Sequence, residues 1–279
     1  MSMRTAIREE DDEVLIGAAT TRPPTTNRLF GIQIDAVTRD EAIGLVGDWL
    51  AAPWSGRCRY VVTPNVDHVL KLRSDRDFRG AYDEADLVIV DGWPIRSVSP
   101  LLGVQVPETI PGSDFVPWLL DDHQARGRRL RVFLLGAAEG VAEEAALRIE
   151  ERWPCADVVG TLSPPWRFER DEALCERICR RVTETAPDLL VLGLGAPKQE
   201  IFAQRYQHQL GAKVALCVGA TIDFLAGSKR RAPPLVRQLR LEWLYRSLSE
   251  PRRLGRRYLA GIVQFPLLVA RELVERRRR

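Results

Sequence analysis

Short apolar runs rich in valine, leucine and isoleucine recur along this 279-residue chain, and most are followed by a turn and then by a longer segment of helical period. The runs are Phe30–Ile34, Arg59–Val62, Asp86–Val90, Leu130–Leu135, Asp157–Val159, Leu189–Leu192 and Val214–Val218. The first helix opens at Thr38, where Glu41 three residues on makes a capping box and Ala42, Ile43, Val46 and Leu50 form one stripe. Later helices are marked by Ala142–Arg152, Asp171–Thr183 and Lys198–Gln207. Strand and helix alternating in this way predict a Rossmann-like α/β body, a parallel sheet flanked by helices, with other α/β windings left open by strand counting.

The alternation holds only in the middle of the chain. Residues 1–28 are polar, rich in Thr, Pro, Asp and Glu, and read as a flexible arm. Residues 29–227 carry the body. Residues 228–279 change to basic helices punctuated by proline and read as an arginine-rich, membrane-associating appendage. From Lys229 onward there are fourteen arginines, one lysine and four glutamates, a net +11, so a chain of total charge +3 carries −8 elsewhere. Such a local excess calls for an anionic partner: phospholipid headgroups, substrate phosphates or nucleic acid.

No apolar run reaches the ~18 residues a spanning helix needs, because the best one, Leu259–Ala270, contains Pro266 and stops at Arg271. The acidic N-terminus lacks the basic start and apolar run of a secretory signal, so the chain is expected in the cytoplasm. The five cysteines are odd in number and lack CxxC spacing, so they read as reduced thiols. Cys175 and Cys179, one helical turn apart, read as buried small hydrophobes.

Ligands of open α/β sheets sit beyond the carboxyl ends of the strands, so the residues just after each strand come first. They are Thr63-Pro64-Asn65-Val66-Asp67, Asp91-Gly92-Trp93-Pro94, Gly193 through Glu200, and Gly219 through Asp223. The turn at Gly193 and Gly195 suits a phosphate: its glycines permit close backbone approach, Pro197 fits the first helical position and leaves amides facing outward, and Lys198 adds charge. The alternative is an ordinary strand-to-helix turn. Asp91 ends an apolar strand, where burial would raise its proton affinity and suit it to act as a general base, while Gly92 keeps the backbone accessible. Alternatively, Asp91 caps the helix near Trp93. Thr63 and Asn65 are hydrogen-bond partners for a sugar oxygen or, equally, turn and cap residues. Asp67 reads as a charge at a helix N-terminus. Asp75-Arg76-Asp77 matches the DxD pattern of metal-dependent sugar transferases but lies among arginines in a polar helical stretch, and reads as a solvated face. No metal site and no cofactor are expected.

Taken in order, these segments resemble the WecG/TagA/CpsF family, glycosyltransferase family 26, over about Phe30 to Tyr258. The likeness is carried by Thr63-Pro64-Asn65, Asp91-Gly92, Val132-Phe133-Leu134-Leu135-Gly136 with Gly140, and Pro197-Lys198-Gln199-Glu200. It continues through Gly219, Asp223-Phe224-Leu225-Ala226-Gly227, Arg231-Ala232-Pro233 and Glu242-Trp243-Leu244-Tyr245-Arg246. The resemblance implies an inverting, metal-independent transferase that moves a sugar from a UDP donor to a hydroxyl of a polyprenyl-diphosphate-linked saccharide. Such an enzyme would serve bacterial cell-surface or exopolysaccharide synthesis. Asp91 matches the family's general base, Thr63 a second residue important for activity, and Gln199 and Asp223 positions around the nucleotide. Asn65, Gly92, Gly136, Gly195 and Lys198 join them as substrate-binding positions. In the family the arginine-rich appendage closes over the site and meets the membrane, and here Arg230, Arg231 and Arg237 are the residues to meet the departing diphosphate.

The expected partners are therefore a UDP-sugar, which is a substrate, a lipid-linked saccharide and the anionic inner face of the cytoplasmic membrane. The appendage aromatics Trp243, Tyr245, Tyr258 and Phe265 would help the arginines hold that surface. Self-association into a homo-oligomer is compatible with the sequence. One position departs from the family: where its members carry arginine in an E-R-h-x-G-x-D pattern, this chain has Glu108-Thr109-Ile110-Pro111-Gly112-Ser113-Asp114. Arg96 would have to replace that charge, or the donor differs; N-acetylmannosamine, its uronic acid and glucose are the candidates the family offers. A dinucleotide-dependent oxidoreductase fits less well, because no GxGxxG follows the first strand. A nucleic-acid-binding protein using the basic tail leaves the four polar strand ends unexplained, so nucleic acid is not an expected partner.

Overall fold

The computed structural model of the chain describes residues 26–229, 232, 233, 236, 245 and 251–278. It begins with a hairpin, β1 (Thr26–Leu29) against β2 (Ile32–Asp35), which is antiparallel and separate from the main sheet. The sequence predicts one strand over Phe30–Ile34. Phe30 and Gly31 instead take φ values of 52° and 80°, the paired left-handed conformation that turns a two-residue hairpin and breaks a strand in half. Residues 26–28, assigned above to the arm, pair within β1.

The main sheet has six strands: β3 (Arg59–Val62), β4 (Leu87–Val88), β5 (Leu130–Gly136), β6 (Ala156–Leu162), β7 (Leu189–Gly193) and β8 (Val214–Cys217). All are parallel, in the order β4-β3-β8-β7-β5-β6. Parallel strands buried on both faces need helices on each side. Alternate side chains divide accordingly. Tyr60, Val62, Phe133, Leu135, Leu190, Leu192, Ala215 and Cys217 face one layer, and Val61, Val132, Leu134, Leu189, Val191, Val214 and Leu216 face the other.

The first layer holds α2 (Val66–Lys71), α3 (Arg76–Asp83), α7 (Glu172–Glu184) and α8 (Lys198–Tyr206). The second holds α1 (Arg39–Ala51), α5 (Gly112–Ala125), α6 (Val141–Arg152) and α9 (Thr221–Leu225). Thr38 and Glu41 close the predicted capping box on α1, with Thr38 N donating to Glu41 Oε2 at 2.7 Å and Glu41 N to Thr38 Oγ1 at 3.3 Å. A short helix α4 (Trp93–Val98) follows β4, and a single 3-10 turn, Pro100–Leu102, follows it.

The connection after β5 runs outward to β6, whereas that after β7 runs the other way to β8. Neighbouring strands whose connections part in opposite directions open a crevice at their carboxyl ends, the usual ligand seat of such sheets.

Helix α10 (Pro251–Arg277) closes the chain. Pro266 lies within it on the outer face, and the helix continues past Arg271. Its inner face buries Phe265, Leu268 and Val269, with the Phe265 ring 5.6 Å from that of Phe30. Phe265, expected as a membrane-facing aromatic, is thus a core residue. Arg276 pins the far end by donating to the carbonyls of Leu102 and Arg28.

Candidate active site

Beginning at the β4 edge, the carboxyl rim is assembled by bonds between strand ends. Thr63 leaves β3 with its side chain buried, and its Oγ1 donates to the Cys217 carbonyl at the end of β8 at 3.2 Å. The Asp91 amide donates to the Pro64 carbonyl at 2.9 Å, which sets the end of β4 against the turn after β3. Asn65 caps α2, its Oδ1 accepting from the amides of Asp67 at 3.1 Å and His68 at 3.3 Å. The capping alternative therefore describes the Asn65 oxygen. Asp67 takes the helix N-terminal place expected of it and pairs with Lys71 at 2.8 Å.

Asp91 stands one residue before the cap of the helix that follows it. Gly92 is the N-cap of α4, with φ of 121°, and the cap makes no side-chain hydrogen bond. A Cβ built on Gly92 would stand 4.0 Å from that of Asn65, so the Asp91-Gly92 turn lies directly beside the turn after β3. The Asp91 charge is felt in the interior. The Tyr82 phenol is pushed well above its ordinary value by burial first, and then by the carboxylate of Glu200, the Cys217 thiol and Asp91.

The segment bearing Thr109 runs behind this corner. The Ile110 amide donates to the Val90 carbonyl at 2.8 Å, and Gly112 packs so tightly on Val218 that a Cβ would come within 2.9 Å. Arg96 lies along the same segment, its guanidinium donating to the carbonyls of Val106 and Pro107.

Farther along, the turn after β7 differs from the phosphate loop that the sequence suggests. The Gly195 amide donates inward, to Gln199 Oε1 at 3.1 Å, rather than facing outward. Pro197 follows a cis peptide bond and stands at the helix cap, one position before α8 begins. The same Gln199 oxygen accepts the Gly219 amide at 3.1 Å, which joins the turns after β7 and β8. Gln199 is 2% exposed. Lys198 reaches along the rim toward the loop after β6: its Nζ lies 3.7 Å from Glu169 Oε2 and 4.4 Å from the centroid of the Trp166 ring. Its charge is partnered there.

Gly136 ends β5 with φ of 128°, and a Cβ on it would lie 2.5 Å from the backbone carbon of Gly193. Close approach of two strands accounts for this glycine. Asp223 lies in the first turn of α9, four residues beyond Gly219, with Oδ1 3.1 Å from Lys229 Nζ.

Thr63, Asn65, Asp91 and Gly92 thus form one corner, and Gln199, Gly195 and the turn leading to Asp223 follow on the same rim through the Thr63–Cys217 and Gln199–Gly219 bonds. Arg230, Arg231 and Arg237 lie outside the described residues. Among the described residues, no group of three or more His, Cys, Asp or Glu side chains is arranged to hold a metal ion. Asp75 of the DxD-like run caps α3 by accepting from the Phe78 amide at 2.9 Å. Cys175 and Cys179 are buried thiols, and burial pushes the Cys179 thiol up to about 12.

Two groups at the rim escaped the sequence reading. Trp166, 82% exposed, stands in the loop after β6, which the strand-end rule would have reached had it been applied to that strand. Lys71 donates to the Ala196 carbonyl at 3.3 Å and so touches the Gly195 turn from α2.

The profile of the glycosyl transferase WecG/TagA/CpsF family matches residues 27–279. A Bacillus spizizenii protein named N-acetylglucosaminyldiphosphoundecaprenol N-acetyl-beta-D-mannosaminyltransferase is 29% identical over 194 residues, covering 70% of this chain and 72% of its own length. A Staphylococcus aureus protein of the same name (strain MRSA252) is 25% identical over 248 residues, covering 89% of this chain and 94% of its own.

Proposed function

The chain belongs to the WecG/TagA/CpsF family of glycosyl transferases, and from that membership we propose that it moves N-acetylmannosamine from a UDP donor to a hydroxyl of an N-acetylglucosamine held on a polyprenyl diphosphate. It is a glycosyltransferase of cell-envelope polymer synthesis, and the names of its relatives supply the acceptor and the sugar. The donor nucleotide, the inverting course and independence of metal belong to this reading.

In it, Asp91 takes the proton of the acceptor hydroxyl as that oxygen bonds to the anomeric carbon from the face opposite the diphosphate. The bond from the anomeric carbon to the diphosphate oxygen breaks, and its electron pair leaves with UDP. Thr63, beside Asp91, helps align the reacting groups. Arginines of the appendage, Arg230, Arg231 and Arg237, meet the negative charge that develops on the diphosphate.

The observation that carries the reading is the corner itself: a carboxylate just past a strand end, set beside Thr63 and Asn65 on the rim where such sheets bind ligands. The test is to incubate the protein with UDP-N-acetylmannosamine and a polyprenyl-diphosphate N-acetylglucosamine and to weigh the lipid product. A lipid heavier by one N-acetylhexosamine is expected. Failure to extend the lipid with that donor or with any other UDP-sugar would overturn the reading.

The same reading seats the enzyme at the inner face of the cytoplasmic membrane. Among the described residues no helix is long and apolar enough to cross a membrane. The outer face of α10 exposes Ile262, Val263, Leu267 and Val274 together with Arg271 and Arg277, and Arg278 is exposed in the turn just past it. Each cation at an anionic surface contributes about 1 kcal/mol, so a few arginines beside an apolar stripe suffice for reversible attachment. Flotation with anionic but not with neutral vesicles is the expected result, and equal flotation with both would count against it.

A further inference from the structure

Gln199 presents a carboxamide whose orientation is fixed by three bonds. Its Oε1 accepts from the amides of Gly195 and Gly219, both at 3.1 Å, and its Nε2 donates to Glu200 Oε1 at 2.8 Å. A carboxamide oxygen has two lone pairs, and both are engaged. Turning the group over would aim its N–H donors at two backbone N–H groups and its oxygen at a carboxylate, so every contact would become repulsive.

Glu200 therefore decides which way Gln199 faces. Glu200 is 0% exposed and lies in the first turn of α8, where the helix dipole favours a negative charge. It stands 4.0 Å from His68 Nδ1, which lies 2.7 Å from the Tyr82 hydroxyl, so the group is anchored to α2 and α3 as well as to α8. The Cys217 thiol at the end of β8 is pushed well above its ordinary value by burial and next by Glu200.

We propose that Gln199 and Glu200 form a buried brace that holds the turns after β7 and β8 at one spacing, which makes both of them positioning residues rather than contacts for the substrate. The turns so joined flank the rim between Thr63 and the crevice, and a change in their separation moves Gly195 and the start of α9 relative to Asp91. The catalytic arm of the test rests on the transferase reading, and the structural arm does not.

The decisive comparison uses the full chain carrying Q199E and then Q199E/E200Q. In the single variant two carboxylates face each other inside the protein, and the brace fails. In the double variant Glu at 199 accepts both glycine amides while Gln at 200 donates to it, so the bonds return with their chemistry exchanged. Hydrogen exchange of the peptides that contain Gly195 and Gly219 should quicken about tenfold in Q199E, the loss of roughly one hydrogen bond each, and fall back to within about threefold in the double variant. Should Q199E fail to fold, Q199A removes the same acceptor and must speed both glycines together. In transfer, the single variant should lose about tenfold in kcat with KM changed less than about threefold, and the double variant should recover most of it.

Unchanged exchange at both glycines in the single variants would overturn the brace, as would a double variant that exchanges as fast as the single. Normal exchange with transfer lost would also overturn it, by assigning Gln199 to the substrate. The expected exchange pattern in a chain that extends no acceptor would uphold the brace and defeat the transferase reading instead.

Discussion

At the β5 and β7 end of the rim, a Cβ on Gly136 would strike the backbone of Gly193, and one on Gly193 would strike Ile222 at 2.8 Å. At Gly195 and Gly92, by contrast, a Cβ would meet open space or ordinary contacts, and only the backbone angles, 79° and 121°, ask for glycine. Gly136 lets β5 and β7 close together and Gly193 leaves room for the tip of Ile222, whereas the second pair turns the chain at the mouth of the site. In sequence the two kinds look alike. Steric demand separates them, because a clash with backbone cannot relax whereas a strained φ in open space costs only its own conformational energy.

Substitutions can break this contrast or sharpen it. Gly136→Ala is expected to do the most damage, about 3 kcal/mol or more from a glycine-only conformation plus a backbone clash, a large part of a domain's stability. Thermal unfolding should show a midpoint lowered by many degrees or no folded protein at all, and a near-normal midpoint would erase the distinction.

Asp91→Asn tests the chemical end. It should lower turnover by about 10²-fold, roughly 2.7 kcal/mol of barrier, while UDP binding measured by calorimetry stays nearly unchanged. A fully active variant would remove Asp91 from the role of base. Gly195→Ala should cost only about 1 kcal/mol, because nothing lies within 4 Å of the added methyl. If it destabilises as much as Gly136→Ala, the two kinds of glycine are one.

The smallest effect belongs to a site remote from both ends. His123 is buried in α5, with Nδ1 donating to the Leu119 carbonyl at 3.0 Å, and burial holds its titration below the ordinary 6.5. A pKa depressed by folding supports the fold above the unfolded value and withdraws that support as pH falls through the folded one. His123→Gln should therefore flatten the loss of stability below about pH 6.5 by something under ~1 kcal/mol, without touching transfer at neutral pH. Denaturant titrations at several pH values would read it, and a steeper acid loss in the variant would contradict the sign.

Much of the architecture was legible because it follows from local rules. Short apolar runs and period-3.6 patterning marked the sheet and its helices, and the Thr38–Glu41 spacing marked a capping box that forms as expected. The first strand was misread because Phe30 in a left-handed turn has no sequence signature. Around the site the strand-end rule found Thr63, Asn65, Asp91 and Gly92 and the corner they share. It could not foresee that the Gly195 amide turns inward to Gln199, whose oxygen also takes the Gly219 amide from the turn after β8, or that Lys198 lies over Trp166 of another loop.

The amino-acid sequence by itself determined the α/β class, the strands whose ends matter and the residue types offered there, because each depends on neighbours within a few positions. Only the tertiary structure decided which of those groups face outward. The Gln199 carboxamide and the Lys198 ammonium are engaged by the fold, and whether a buried donor or acceptor is already partnered depends on atoms that the chain brings together only when it closes.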